Sequence, residues 1–154
     1  MKKSMVVIIA LAALTAGEAA WALDTNTLTV QASVVGTCMF QAPKTSTLDF
    51  GPLDPSTPVQ VNGTATTQFW CTKGVTTDVI TADLGANPSG PTRRMAGPGG
   101  DFIPYSLALA PVAGLNGGPA SPRTLNITGS VLAADYTGVS AGNYADTVTL
   151  TINP

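Results

Sequence analysis

The residue types that perform most protein chemistry are sparse in this chain. Its 154 residues include no histidine, which removes the commonest general base. Beyond residue 22 the carboxylates are Asp24, Asp49, Asp54, Asp78, Asp83, Asp101, Asp135 and Asp146, with no glutamate. Most sit beside turns, where aspartate is favoured because its side chain bonds nearby backbone. Glycoside hydrolysis needs two carboxylates brought together by folding, and no spacing here singles out such a pair. No D-x-D-x-D-G run offers a calcium loop. Cys38 and Cys71 are separate thiols, half of a metal site, or one disulfide. A zinc site lacks its other ligands, with no histidine and no third cysteine. An even cysteine count in an exported chain suggests a disulfide, and closing that loop would stabilise by roughly 3–4 kcal/mol. The expectation is no enzyme, no metal and no cofactor. The sequons Asn62-Gly63-Thr64 and Asn126-Ile127-Thr128 read as ordinary strand residues. Tyr144, near the start of a strand, reads as a corner tyrosine bonding back to the backbone.

Export is written into the first residues. Lys2 and Lys3 precede ten apolar residues, Met5 to Leu14, and Ala20-Trp21-Ala22 fits a small-x-small cleavage site. This is signal-peptide anatomy; a spanning helix needs about 20 apolar residues. Cleavage after Ala22 leaves Leu23 to Pro154, a length that suits one domain. Its basic residues are Lys44, Lys73, Arg93, Arg94 and Arg123, and only Arg93 and Arg94 are adjacent. Nucleic-acid binding would want a basic stripe with interleaved aromatics, so no nucleic-acid partner is expected.

The elements that must position these residues read as strands. Threonine, valine and glycine dominate and prolines punctuate, the profile of an all-β domain. Seven strands are expected: Thr27–Val35, Thr45–Phe50, Pro58–Thr72, Val75–Leu84, Phe102–Leu109, Arg123–Leu132 and Asn143–Ile152. Gly85–Asp101 and Ala110–Pro122 read as long loops, available as crossovers or binding loops. Together these point to an immunoglobulin-like β-sandwich.

The last strand raises the functional question. Tyr144, Asp146, Val148, Leu150 and Ile152 share one face, and only Asn153 and Pro154 come after it. On this reading no later strand pairs with Val148, Leu150 and Ile152. The sandwich is incomplete, and such an edge invites strand addition by another chain. Near the other end, Leu28, Val30, Ala32 and Val34 alternate in the same way. Residues 23–35, extended, reach roughly 43–47 Å, enough to cross a neighbour's groove. The same segment could instead be the first strand of its own domain.

Several motifs occur in order: "LDFG" at Leu48–Gly51, "CTKG" at Cys71–Gly74, "RRM" at Arg93–Met95, "PYSL" at Pro104–Leu107 and "AGNYADTVTLTI" at Ala141–Ile152. The set resembles the spore coat protein U domain family, which includes pilins of the archaic chaperone–usher pathway. The resemblance spans nearly all of the chain after residue 22. The chain departs from the family pattern after Tyr105, where the run is "SLALAPVAG", and Trp70 stands just before Cys71. The resemblance implies a sandwich lacking its last strand, a Cys38–Cys71 bridge, and completion by a donor strand. A periplasmic chaperone would lend that strand first, and at an outer-membrane usher the next pilin subunit would replace it. The expected organisation is a signal peptide at 1–22, a donor segment at 23–35 with Leu28, Val30, Ala32 and Val34 as teeth, and a domain at 36–154. Val148, Leu150 and Ile152 would edge the acceptor groove. The expected product is a surface pilus serving adhesion and biofilm formation. The alternative is a self-contained secreted or spore-coat-type binding module, with carbohydrate as a candidate ligand for its long loops.

Overall fold

The computed structural model describes residues 23–76 and 79–154. The expected signal peptide and Asp78 lie outside the described residues. The chain divides into two units, Met1–Ser33 and Val34–Pro154. In the first, the described residues form no strand, and Leu23, Leu28 and Val30 are more than four-fifths exposed.

The second unit is all-β. Its strands among the described residues are β1 Cys38–Phe40, β2 Val61–Cys71, β3 Val79–Ala82, β4 Arg93–Ala96, β5 Phe102–Pro111, β6 Arg123–Val131 and β7 Leu150–Asn153. They form one sheet in the order β1-β2-β6-β5-β4 and a second of β3-β7, with every pair antiparallel. In an immunoglobulin constant-type sandwich one sheet runs A-B-E-D and the other C-F-G. Here β1-β2-β6-β5 matches A-B-E-D, and β3-β7 matches C-F. No strand among the described residues occupies the place of G.

The core lies between the sheets. From β2 and β6, Phe69, Cys71, Leu125 and Ile127 are buried, and Ile80, Leu150 and Ile152 of the second sheet pack on them. A second cluster joins Ile103, Val131 and Tyr136 with half-covered Phe50, Leu53, Met95, Tyr105, Val139 and Tyr144. Alternation explains β2: Gly63, Ala65, Phe69 and Cys71 turn inward, while Asn62, Thr64, Thr66 and Gln68 face solvent. Its β-branched residues suit a pleated, half-buried surface.

The structure corrects several strand expectations. Thr27–Val35 and Thr45–Phe50 lie in no strand, and of Asn143–Ile152 only the end is laddered. Each has an apolar alternation, but a strand also needs a partner's N–H and C=O groups, and, among the described residues, 27–35, 45–50 and 143–149 have no ladder partner. Gly85–Asp101 is not a plain loop, because β4 forms within it against β5. β1 was also hidden, being three residues long and held by β2 and a disulfide. Ala110–Pro122 is pinned. Arg123 reaches the Val112 carbonyl and the Asn116 side chain, Asn116 donates to the Val75 carbonyl at 2.8 Å, and the Gly118 N–H donates to the Cys71 carbonyl at 3.0 Å.

Candidate functional site

Two segments that lie largely outside the ladders flank an open apolar groove. One wall is residues 46–50, the other residues 144–150, and Ala65, Leu107 and Ile127 line the floor of this cavity of about 360 Å³. A second hollow of about 780 Å³ continues it toward residues 51–55 and 139–143. Both share Leu48, Asp49, Phe50, Met95 and Tyr144, so they form one trough along the sandwich.

The first wall rests in a notch made by two glycines. Gly63 and Gly129 face each other across the β2–β6 ladder. A Cβ on Gly63 would come within 2.8 Å of Leu48 and 2.9 Å of the Asp49 carbonyl; one on Gly129 would lie 3.0 Å from Phe50. Without side chains at these positions, Leu48 and Phe50 settle directly onto the sheet.

Among the described residues, the second wall has one used edge and one free edge. Ala145 and Ala96 exchange N–H bonds of 3.0 and 2.9 Å, and the Asp83 N–H donates to the Thr149 carbonyl at 3.1 Å. Residues that exchange such bonds alternate with residues that do not. Odd-numbered residues 145 to 153 therefore turn their backbone groups toward β4 and β3. Asp146, Val148, Leu150 and Ile152 turn theirs the other way. The same even-numbered residues are the half-buried ones, so they carry both the inward side chains and the backbone groups of the unused edge.

Side chains hold this wall where a ladder does not. The Tyr144 hydroxyl donates to the Ser140 carbonyl at 2.7 Å, the corner bond expected of that residue. Asp146 accepts from the Tyr105 hydroxyl at 2.6 Å and from the Ala86 N–H at 2.8 Å. Burial, then the bond to Asp146, raises the Tyr105 phenol above its ordinary range. The Thr149 N–H donates to the Asp83 carboxylate at 2.9 Å. That bond and one from the Gly85 N–H keep the Asp83 carboxyl below the usual range. Among the described residues no cluster of three or more metal-binding side chains occurs.

Each predicted site residue has a place. Cys38 and Cys71 are joined in a disulfide at the mouth of β1. Val148 and Leu150 line the groove. Ile152 sits beyond it, opposite Ile80 and on the core. Leu28, Val30 and Ala32 are exposed in the N-terminal unit, and Val34, also exposed, opens the second. Sequence reading missed the Gly63–Gly129 notch and the Tyr105–Asp146 bond, whose partners are far apart in the chain.

The Spore Coat Protein U domain profile matches residues 24–151. The chain belongs to the spore coat protein U domain family. In this spore coat protein U domain, the "LDFG" and "AGNYADTVTLTI" motifs supply the two groove walls and "CTKG" carries the disulfide. Among solved structures, the chain is similar to one described as the CsuC–CsuE chaperone–tip adhesion subunit pre-assembly complex from archaic chaperone–usher Csu pili of Acinetobacter baumannii. Identity is 20%, the TM-score is 0.48, and the match covers 78% of this chain and 40% of that one. No curated protein matches the sequence.

Proposed function

We propose that this protein is a non-catalytic structural subunit of a secreted surface polymer, a pilin, assembled by strand donation between chains. One observation carries the reading: two segments with strand-like alternation, lying in no strand over residues 46–50 and 144–149, flank a single apolar groove. A strand laid between them would pair with the free backbone groups of Asp146, Val148, Leu150 and Ile152 and cover Leu48, Phe50 and Leu107. Leu28, Val30, Ala32 and Val34 of another copy have the alternation for that strand, and their exposure leaves them available. Membership of the spore coat protein U domain family supports the same reading.

On this account the chain is exported to the periplasm, where a chaperone strand fills the groove. An outer-membrane usher then directs exchange for the next subunit's N-terminal segment. Adhesion and biofilm formation are the roles of the finished polymer. Deleting Leu23 to Val34 should leave export and chaperone binding intact and abolish polymerisation, read by electron microscopy of shed filaments. Normal filaments from the truncated chain would refute the proposal.

A further inference from the structure

The N-terminal segment enters the sandwich at a strongly tied point. Thr72 holds the entry. Its hydroxyl accepts from the Thr37 N–H at 3.0 Å and lies 3.3 Å from the Val35 and Thr37 carbonyl oxygens, while its N–H donates to the Thr37 carbonyl at 2.8 Å. The next residue, Cys38, is bonded through its sulfur to Cys71. Cys71 is fully buried at the end of β2, the longest strand, which runs between β1 and β6. The bond from Gly118 to the Cys71 carbonyl backs the same point.

Beyond Cys38 the chain is weakly tied. β1 pairs three residues with β2, and the Gln41 N–H adds one bond to the Gln68 carbonyl at 2.8 Å. Residues 42–60 then lie in no strand, and they include the groove wall at 46–50. Apart from the seating of Leu48 and Phe50, the far end of this stretch is held by Tyr136, whose hydroxyl bonds the Val59 N–H and carbonyl.

Tension applied through the N-terminal segment meets Cys38 first. Through the disulfide it passes to Cys71 and into the β2–β6 ladder, bypassing residues 39–70. Without the disulfide it falls on β1, a short edge strand, and next on the groove wall. We infer that the Cys38–Cys71 bond gives this protein a mechanical function: it lets the N-terminal segment carry tension without stripping residues 42–60 from the groove. The inference rests on the proposed role of that segment as the link between subunits.

Optical tweezers test it on the full chain, tethered at Leu23 and, through a click-reactive side chain, at Thr128 on the outer face of β6. The oxidised protein should show no extension before the β2–β6 ladder yields. After reduction of the already folded protein, an early step of up to about 8 nm should appear, the length of residues 38–60 pulled straight. The Cys38→Ser/Cys71→Ser pair should show the same step. Because reduction acts on folded protein, the measurement does not depend on that pair folding. Moving the first tether to Val59 should remove the step in every redox state. No early step after reduction, or a step that persists from Val59, would overturn the inference. Filaments that form without residues 23–34 would refute the link role while leaving the force result standing.

Discussion

The β2–β6 pair and the groove wall at 144–149 carry the same kind of sequence and meet different fates. From Val61↔Val131 to Phe69↔Arg123, β2 and β6 run in unbroken register, and alternate residues reach full burial at Phe69, Leu125 and Val131. At 144–149 the alternation is as regular, yet no residue is fully buried and, among the described residues, the only bridge is Ala145 to Ala96. Apolar alternation thus reports which face is meant to be covered. Whether a ladder forms depends on a partner, and the same chain need not supply one. In the ladder, hydrogen bonds and burial arrive together. In the wall they are separated, and the bonds of Tyr144, Asp146 and Asp83 hold the segment in place.

The sharpest way to break the comparison is to damage each region and compare stability with strand binding. Phe69→Ala, in the ladder, should cost about 3–5 kcal/mol in urea unfolding, enough to empty the folded state of a marginal domain. Val148→Asp, in the groove, should hardly change unfolding of the lone domain, because the site is half open. It should weaken binding of a synthetic peptide of residues 24–35 by roughly 100-fold or more, since a bound strand would bury an unpaired charge. Isothermal titration reads the difference; equal peptide affinity would remove the groove from the binding account.

Smaller effects sharpen the account of how the walls are held. Gly63→Ala forces Leu48 and the Asp49 carbonyl to move and should cost about 1–3 kcal/mol, with faster proteolysis within residues 45–57. Tyr144→Phe removes the bond to Ser140 and should cost about 0.5–1.5 kcal/mol in the same unfolding assay. Asp83 gives the smallest change. Its folded-state carboxyl lies below the ordinary range because the Thr149 and Gly85 N–H groups bond it. It therefore contributes stability above the unfolded carboxylate value of about 4, and loses it as pH falls through the lower folded value. Asp83→Asn keeps an acceptor and loses the charge, so its urea midpoint should fall less steeply with acidification than that of the parent.

Much of the fold was legible because burial patterns are local. The "VNGTATTQFWC", "FIPYSLAL" and "RTLNITGSV" runs show period-two alternation, and β2, β5 and β6 form there. The inward set Tyr144, Asp146, Val148, Leu150 and Ile152 was readable for the same reason. β1 and β4 were not. "CMF" is too short to show a period, and "RRMA" lies in a Gly/Pro-rich run, so its partner on β5 decides its state. Of the groove, the apolar residues of both walls could be read. The Gly63–Gly129 notch could not, because its meaning appears only when β2 and β6 pair. The bond from Tyr105 to Asp146 likewise depends on tertiary placement, since its partners are distant in the chain.

Amide hydrogen exchange along residues 146–153, with and without the 24–35 peptide, tests the free edge most directly. In the lone domain the amides of Thr149, Thr151 and Asn153, turned toward β3, should exchange slowly, and those of Val148, Leu150 and Ile152 quickly. Adding peptide should slow the even-numbered set and leave the odd-numbered set little changed. Equal protection of both sets in the lone domain, or no response of the even-numbered amides to bound peptide, would contradict the claim that this edge is built to receive a strand.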